Sequence, residues 1–243
     1  MPQTFKVFDK TIEYSIKRSS RRKTIQIAVK PSREIIISTP QSATVKEVEQ
    51  ILEKKQPWLY KTLLNIEDLP PPIPPRKYIN GETHYYLGNQ HRLNLSVGKK
   101  NIALRKTDNY YFFDISAPNP DNPEAIARQL KSWYRKQAQI FFAEALRYLI
   151  SKNRYNLELK HSNIVLKVRS MKKRWGSCNG KDTINLNLEL IKTPIECIDY
   201  VIVHELCHFH HMNHSKEFWN LVTLCMPEWE EYKRKLDKFP VEL

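Results

Sequence analysis

The sequence predicts an α+β fold, and three observations carry that reading. Short apolar stretches with strand-like alternation fill much of the first half, a long helical pattern crosses the middle, and an apolar, well-punctuated helix occupies the last third. Residues 4–39 read as strands of a small antiparallel sheet, from the alternation in 24-TIQIAV-29 and the β-branched run 34-EIIIS-38. A helix follows over 44–64, with Val45, Val48, Ile51, Leu52, Leu59 and Leu63 at helical spacing and Thr44 and Glu47 placed as a capping box; Pro57 is expected to break it. The stretch 69-LPPPIPPR-76 reads as a stiff polyproline spacer, so the expected organisation is a β-rich region with one helix over 1–68, a linker over 69–76, and a β region plus catalytic core over 77–243. Within the last part, 82–97, 101–106 and 109–116 are strand-like. No internal repeat stands out.

From Asn122-Pro123 to about Ser151 a helix is expected, with Ile126, Leu130, Trp133, Ala138, Phe141, Phe142, Ala145 and Leu149 on the apolar face. The core of the second region is expected over about 122–243. There a strand at 162–170 leads through the turn 171-MKKRWGSCNGKD-182 into a strand at 183–191. Thr193-Pro194-Ile195-Glu196 then opens a helix, with Thr193 as its cap.

Lys and Arg number 40 against 26 Asp and Glu, a formal net charge of +14. That balance attracts polyanions, nucleic acid foremost, and the charge is expected to cluster on 122–151 and on 17-KRSSRRK-23. No apolar run approaches the ~20 residues of a membrane helix. The four cysteines form no C-x-x-C pair and the N-terminus lacks a secretory apolar core, so free thiols and a cytoplasmic location are expected. At 243 residues the chain can bury its own core, and a monomer is expected.

The chemistry concentrates in 201-VIVHELCHFHHMNHSKEFW-219. His204 and His208 are one helical turn apart and can face one ion, while Glu205 beside them can reach an attacking water without being a ligand. A catalytic zinc takes three protein ligands as a rule. His211 continues the same face, but seven residues along a straight helix separate it from His204 by ~10 Å, so it reads as a supporting or substrate-side group. His214 is the first candidate for third ligand, swung back by a turn at Asn213; Glu228 and Glu231 are the alternatives.

The combination of 174-RWGSC-178, 183-TINLNLELI-191, 200-YVIVHELCHFHHMNHSKEFW-219 and Pro227-Glu228-Trp229 resembles the YgjP-like metallopeptidase domain, and more distantly the WLM and SprT proteases. The resemblance implies a zincin-like fold with the HExxH motif on its active-site helix. It also implies one zinc ion on His204, His208 and His214, Glu205 as catalytic base, a protein or peptide substrate, and a cleft-side edge strand, for which 183–191 is the candidate. His211, Arg174, Trp175, Ser177 and Tyr232 are the further candidates for substrate or supporting contacts, with His211, Arg174 and Tyr232 as possible oxyanion donors. Two competing readings accompany the peptidase: a basic nucleic-acid-binding module with a structural or vestigial zinc site, and a hydrolase of a non-peptide amide. A peptidase acting on nucleic-acid-associated proteins would join the charge to the chemistry.

Overall fold

The computed structural model describes residues 3–30, 34–67, 75–151 and 164–240. They form two compact units, Met1–Ile73 and Pro74–Leu243. Most of the proline-rich stretch lies outside the described residues, as do positions 162 and 163 of the expected strand. The architecture is mixed α+β. Among the described residues no helix is long and apolar enough to cross a membrane.

The first unit holds β1 (Gln3–Val7), β2 (Lys10–Ser19), β3 (Gln26–Val29) and β4 (Ile35–Pro40), then α1 (Val45–Lys54) and α2 (Gln56–Glu67). The sheet order is β1-β2-β4-β3. It is a mixed sheet rather than the antiparallel one expected, because β2 and β4 run parallel while the two outer pairs are antiparallel. Alternation reports which face is buried and is silent on strand sense, which is why the sequence misleads here. Val7, Ile12, Tyr14, Ile35 and Ile37 meet Val48, Leu52 and Leu59 in one core. Thr44 and Glu47 form the expected reciprocal cap, and the helical run breaks at Lys55, ahead of Pro57.

The second unit begins with β5 (Thr83–Tyr86), β6 (Asn89–Val97), β7 (Asn101–Lys106) and β8 (Tyr111–Ala117), followed by α3 (Pro123–Ser151). Its order, β5-β6-β8-β7, repeats the pattern of the first sheet, with a parallel β6–β8 pair between two antiparallel ones. The sequence keeps a trace of the repeat: 37-ISTP-40 and 115-ISAP-118 both end a fourth strand, Thr44 and Asn122 both precede a helix, and Val48 and Leu52 match Ile126 and Leu130 as its buried positions. Too little identity survives for the sequence alone to announce it.

After α3 come β9 (Val165–Arg169), β10 (Gly176–Cys178) and β11 (Thr183–Asn187), a 3-10 turn (Leu188–Lys192), then α4 (Ile195–Cys207), α5 (Lys216–Cys225) and α6 (Trp229–Lys238). The three-stranded sheet has the order β10-β11-β9. β11 is therefore central, and the short β10 is the edge; this corrects the expectation that 183–191 forms the edge, and residues 188–191 are not strand at all. Thr193 does not cap α4 either. Its hydroxyl donates to the Leu190 carbonyl at 2.8 Å and closes the preceding turn, while Pro194 stands at the cap position. The β5–β6 hairpin tip braces this point: Gly88, at φ 81°, donates to the Lys192 carbonyl, and a Cβ there would lie 2.9 Å from Pro194 Cα. α4 packs against α3, α5, α6 and β10, which leaves most of its length inside the core.

Candidate metal centre

α4 is buried along nearly every face, and its last turn carries His204 and Glu205, with His208 at the C-cap. The chain then leaves the helix through backbone bonds from Phe209, His210 and His211 to Leu206 and Cys207. The left-handed turn expected at Asn213 is not used, since the described non-glycine residues with positive φ are Phe8, Tyr78 and Leu87. The return is fixed instead by Ser215, which caps α5 by accepting a hydrogen bond from Phe218 N. His214 directly precedes that cap and faces His204, with their Nε2 atoms 3.1 Å apart.

One ligand atom from each of His204, His208 and His214 lies within 4.8 Å of the others. Two imidazole nitrogens sharing a tetrahedral zinc at 2.0–2.1 Å would stand about 3.3 Å apart, so the His204–His214 spacing fits such an ion. Nδ1 of His208 lies 2.9 Å from the backbone carbonyl of His211, a bond that aims the ring's other nitrogen at the group. His211 thus enters through its backbone. Burial, reinforced by His208, His214 and Lys233, pushes the His204 pKa down to about 3, and burial also lowers that of His208. Both rings are held neutral, the form that ligates a metal.

The aromatic residues of the following motif hold this arrangement. Phe218, fully buried, stacks on His208 with centroids 4.5 Å apart and meets His204 and His214 edge-on. Trp219 stacks on His214, and Trp229 stacks on Trp219 at 4.4 Å. The spacing from His214 to Phe218 and Trp219 is thereby explained: one capped helical turn brings both rings under the imidazoles.

Glu205 is only 4% exposed, and its Oε2 is buried without a hydrogen-bond partner among the described residues. Burial lifts its pKa to about 8 against the opposing pull of Arg174. Gly176 makes room for it: a Cβ there would lie 2.5 Å from Glu205 Oε1. The glycine thus serves a close approach inside β10, and not the turn to which the sequence alone would assign it; Gly180, at φ 72°, is the turn residue.

A cleft of about 470 Å³ joins these groups, with β10 on one wall. Arg174, Trp175 and Ser177 line it as expected, together with His204, Glu205, His208 and His214. Neither Tyr232 nor the His211 side chain does. From α6 the cleft takes Lys233 and Asp237, which pair at 3.0 Å, while the Tyr232 ring packs against the core and its carbonyl accepts from Cys197 Sγ. Glu228 and Glu231 lie outside the ligand group. Among the three expected oxyanion donors, only Arg174 borders the cleft. Its loop is stapled by Asn187, a fully buried residue that sequence reasoning passed over. The Asn187 amide donates to the carbonyls of Met171 and Arg174 and accepts from the amides of Met171 and Glu189. An asparagine ending an apolar strand was the available signal.

The profile of the YgjP-like, metallopeptidase domain family matches residues 23–239. A comparison with curated proteins finds no match. Among solved structures, the metallopeptidase zymogen abylysin of Pyrococcus abyssi is similar at 22% identity and a TM-score of 0.34, over 39% of this chain and 90% of that one. The metallopeptidase zymogen jannalysin of Methanocaldococcus jannaschii is similar at 23% identity and a TM-score of 0.32, over 38% and 93%. With the family profile spanning nearly the whole sequence, the chain belongs to the YgjP-like metallopeptidase domain family.

Proposed function

We propose that the chain is a zinc-dependent peptidase of the zincin kind, with one ion per chain on His204, His208 and His214 and with Glu205 as general base. The observation that carries this reading is the convergence of three imidazoles beside a buried carboxylate whose second oxygen has no partner among the described residues. A structural zinc site has no need of such a carboxylate, and burying one unsatisfied is unfavourable. Three imidazoles suit zinc better than the oxygen-preferring ions.

Bound zinc would supply Lewis acidity to a carbonyl and lower the pKa of a water. The chain's own residues do the rest. Glu205, lying in the cleft wall, accepts a proton from the attacking water and delivers it to the nitrogen of the leaving amine. Its raised pKa favours that delivery, and a nearby cation favours the ionised form it needs first. The guanidinium of Arg174 stands at the cleft as the donor for the developing oxyanion. Among the described residues β10 pairs only with β11, so an extended substrate can add to its other edge and be held across the cleft by main-chain hydrogen bonds. The four thiols are all free, which agrees with action in a reducing compartment.

His214→Ala tests the ligand set. Zinc measured by mass spectrometry after gel filtration should fall from one equivalent to well below one, with secondary structure kept. Full retention of zinc would remove His214 from the site.

A further inference from the structure

The sheet β5-β6-β8-β7 buries one face and exposes the other. Leu93, Phe113, Ile115 and Ala117 point into the core. On the opposite face, Arg92 of β6 and Arg105 of β7 are both in register with Phe112 of the central strand β8. The next row along is Asn94, Asp114 and Ala103. Tyr110, which is 49% exposed, stands just before β8, with the Arg92 guanidinium 4.6 Å from its ring centre. Arg105 lies 4.1 Å above the Phe112 ring. The carboxylate in these rows, Asp114, is neutralised by a two-bond pair with Arg105, at 2.7 and 2.9 Å, and accepts a further hydrogen bond from the Asn94 amide. Arg92, by contrast, has no carboxylate partner among the described residues.

The matching face of the first sheet lacks this chemistry. Aligned on 37-ISTP-40 and 115-ISAP-118, its corresponding rows are Glu34, paired with Lys30, and Ser15, Ile36 and Ala28, without a ring or a guanidinium. A sheet face needs neither exposed rings nor layered guanidinium groups to fold, so their presence on one of two like-ordered sheets calls for a partner. That partner must offer flat π surfaces and negative charge together. Unpaired bases on a phosphate backbone do so, whereas duplex nucleic acid hides its base faces and an acidic peptide has none.

We propose that this sheet face is a platform for single-stranded nucleic acid, with bases stacking on Tyr110, Phe112 and their guanidinium layers and phosphate against Arg92. The inference goes beyond the peptidase reading and needs no metal, so either can fail without the other.

The test is fluorescence anisotropy of a labelled oligothymidylate with the full chain across a salt series. Wild type should bind, more tightly than it binds a duplex of the same length. Tyr110→Leu keeps an apolar side chain at an exposed position while removing the ring, and should weaken binding about tenfold, the loss expected for one base–aromatic stack. Arg92→Gln should lower the salt slope by about 0.7, the value for one phosphate contact on a single strand. Arg128→Gln, which removes one charge from α3 outside this face, should change affinity less than twofold. The proposal fails if wild type does not bind, if duplex binds more tightly, or if Tyr110→Leu binds as wild type does. It also fails if Arg128→Gln matches Arg92→Gln, or if heparin, a polyanion without bases, shows the same dependence on Tyr110; either result would reduce the effect to net charge.

Discussion

The sheet β1-β2-β4-β3 is followed by two short helices, and the like-ordered sheet β5-β6-β8-β7 by one of 29 residues. The difference has a local cause. In the first unit the helical run meets Pro57, which lacks the amide hydrogen that a continuing helix requires, and the chain turns at Lys55. In the second, no proline stands between Glu124 and Ser151, and the uninterrupted helix supplies a buried row from Ile126 to Leu149. α4 packs on that support, and with it the three histidines are held. The same four-strand unit thus closes a small self-contained core in one case and provides a foundation for chemistry in the other. What separates them is how far the following helix runs and what is appended to it.

The largest effects expected from breaking this comparison lie in the two cores. Phe218→Ala should destabilise the second unit by about 3–5 kcal/mol and Leu52→Ala the first by about 2–5 kcal/mol. Only Phe218→Ala should also weaken zinc binding, because Phe218 lies against all three imidazoles while Leu52 belongs to the other core. Denaturant titration with parallel zinc analysis checks both. Gly176→Ala comes next. The added methyl has no room beside Glu205, so a stability loss of about 1–3 kcal/mol should accompany a roughly hundredfold fall in peptide cleavage with zinc content unchanged.

Two helix caps sharpen the comparison further. Thr44→Ala and Ser215→Ala should each lower stability by about 1 kcal/mol. Since Ser215 sets the position of His214 and Thr44 touches no site, zinc affinity should drop for the second variant alone. Acid separates the two units in another way. Burial holds the His84 pKa down at about 4 despite the hydrogen bond that its ring makes to the Glu82 carboxylate. Between pH 6.5 and about 4 the unfolded chain takes up a proton that folded His84 refuses, so the stability present above pH 6.5 is lost as pH falls through that window. The first unit contains no histidine. Thermal melts should therefore show the acid sensitivity in the second unit, and His84→Gln should reduce it, the remainder resting on His91, His204 and His208, whose pKa values burial also lowers.

How much of this was legible depended on whether the determining contact was local. The capping box at Thr44 and Glu47, the break before Pro57, the span of α3 and the placement of His204 and Glu205 on one helix follow from residues within a few positions of each other. Strand neighbours do not. β11 is buried on both faces, so its pattern cannot tell a central strand from an edge, and the three-residue β10 is too short to carry a pattern. Gly176 looks like a turn glycine until Glu205 is placed beside it. Tyr232 and Lys233 are adjacent in sequence, and the packing of α6 decides which faces the cleft. Asn213 was a reasonable helix stop, but the Ser215 cap accomplishes the return without it.

The most direct test of the account compares wild type with Glu205→Gln for zinc content and for cleavage of unfolded protein substrates. The account predicts one zinc in each protein, cleavage by wild type, and at least a hundredfold loss in the variant, the scale of a general base. Cleavage by Glu205→Gln at the wild-type rate, or a wild type that holds zinc and cuts no peptide bond, would contradict it.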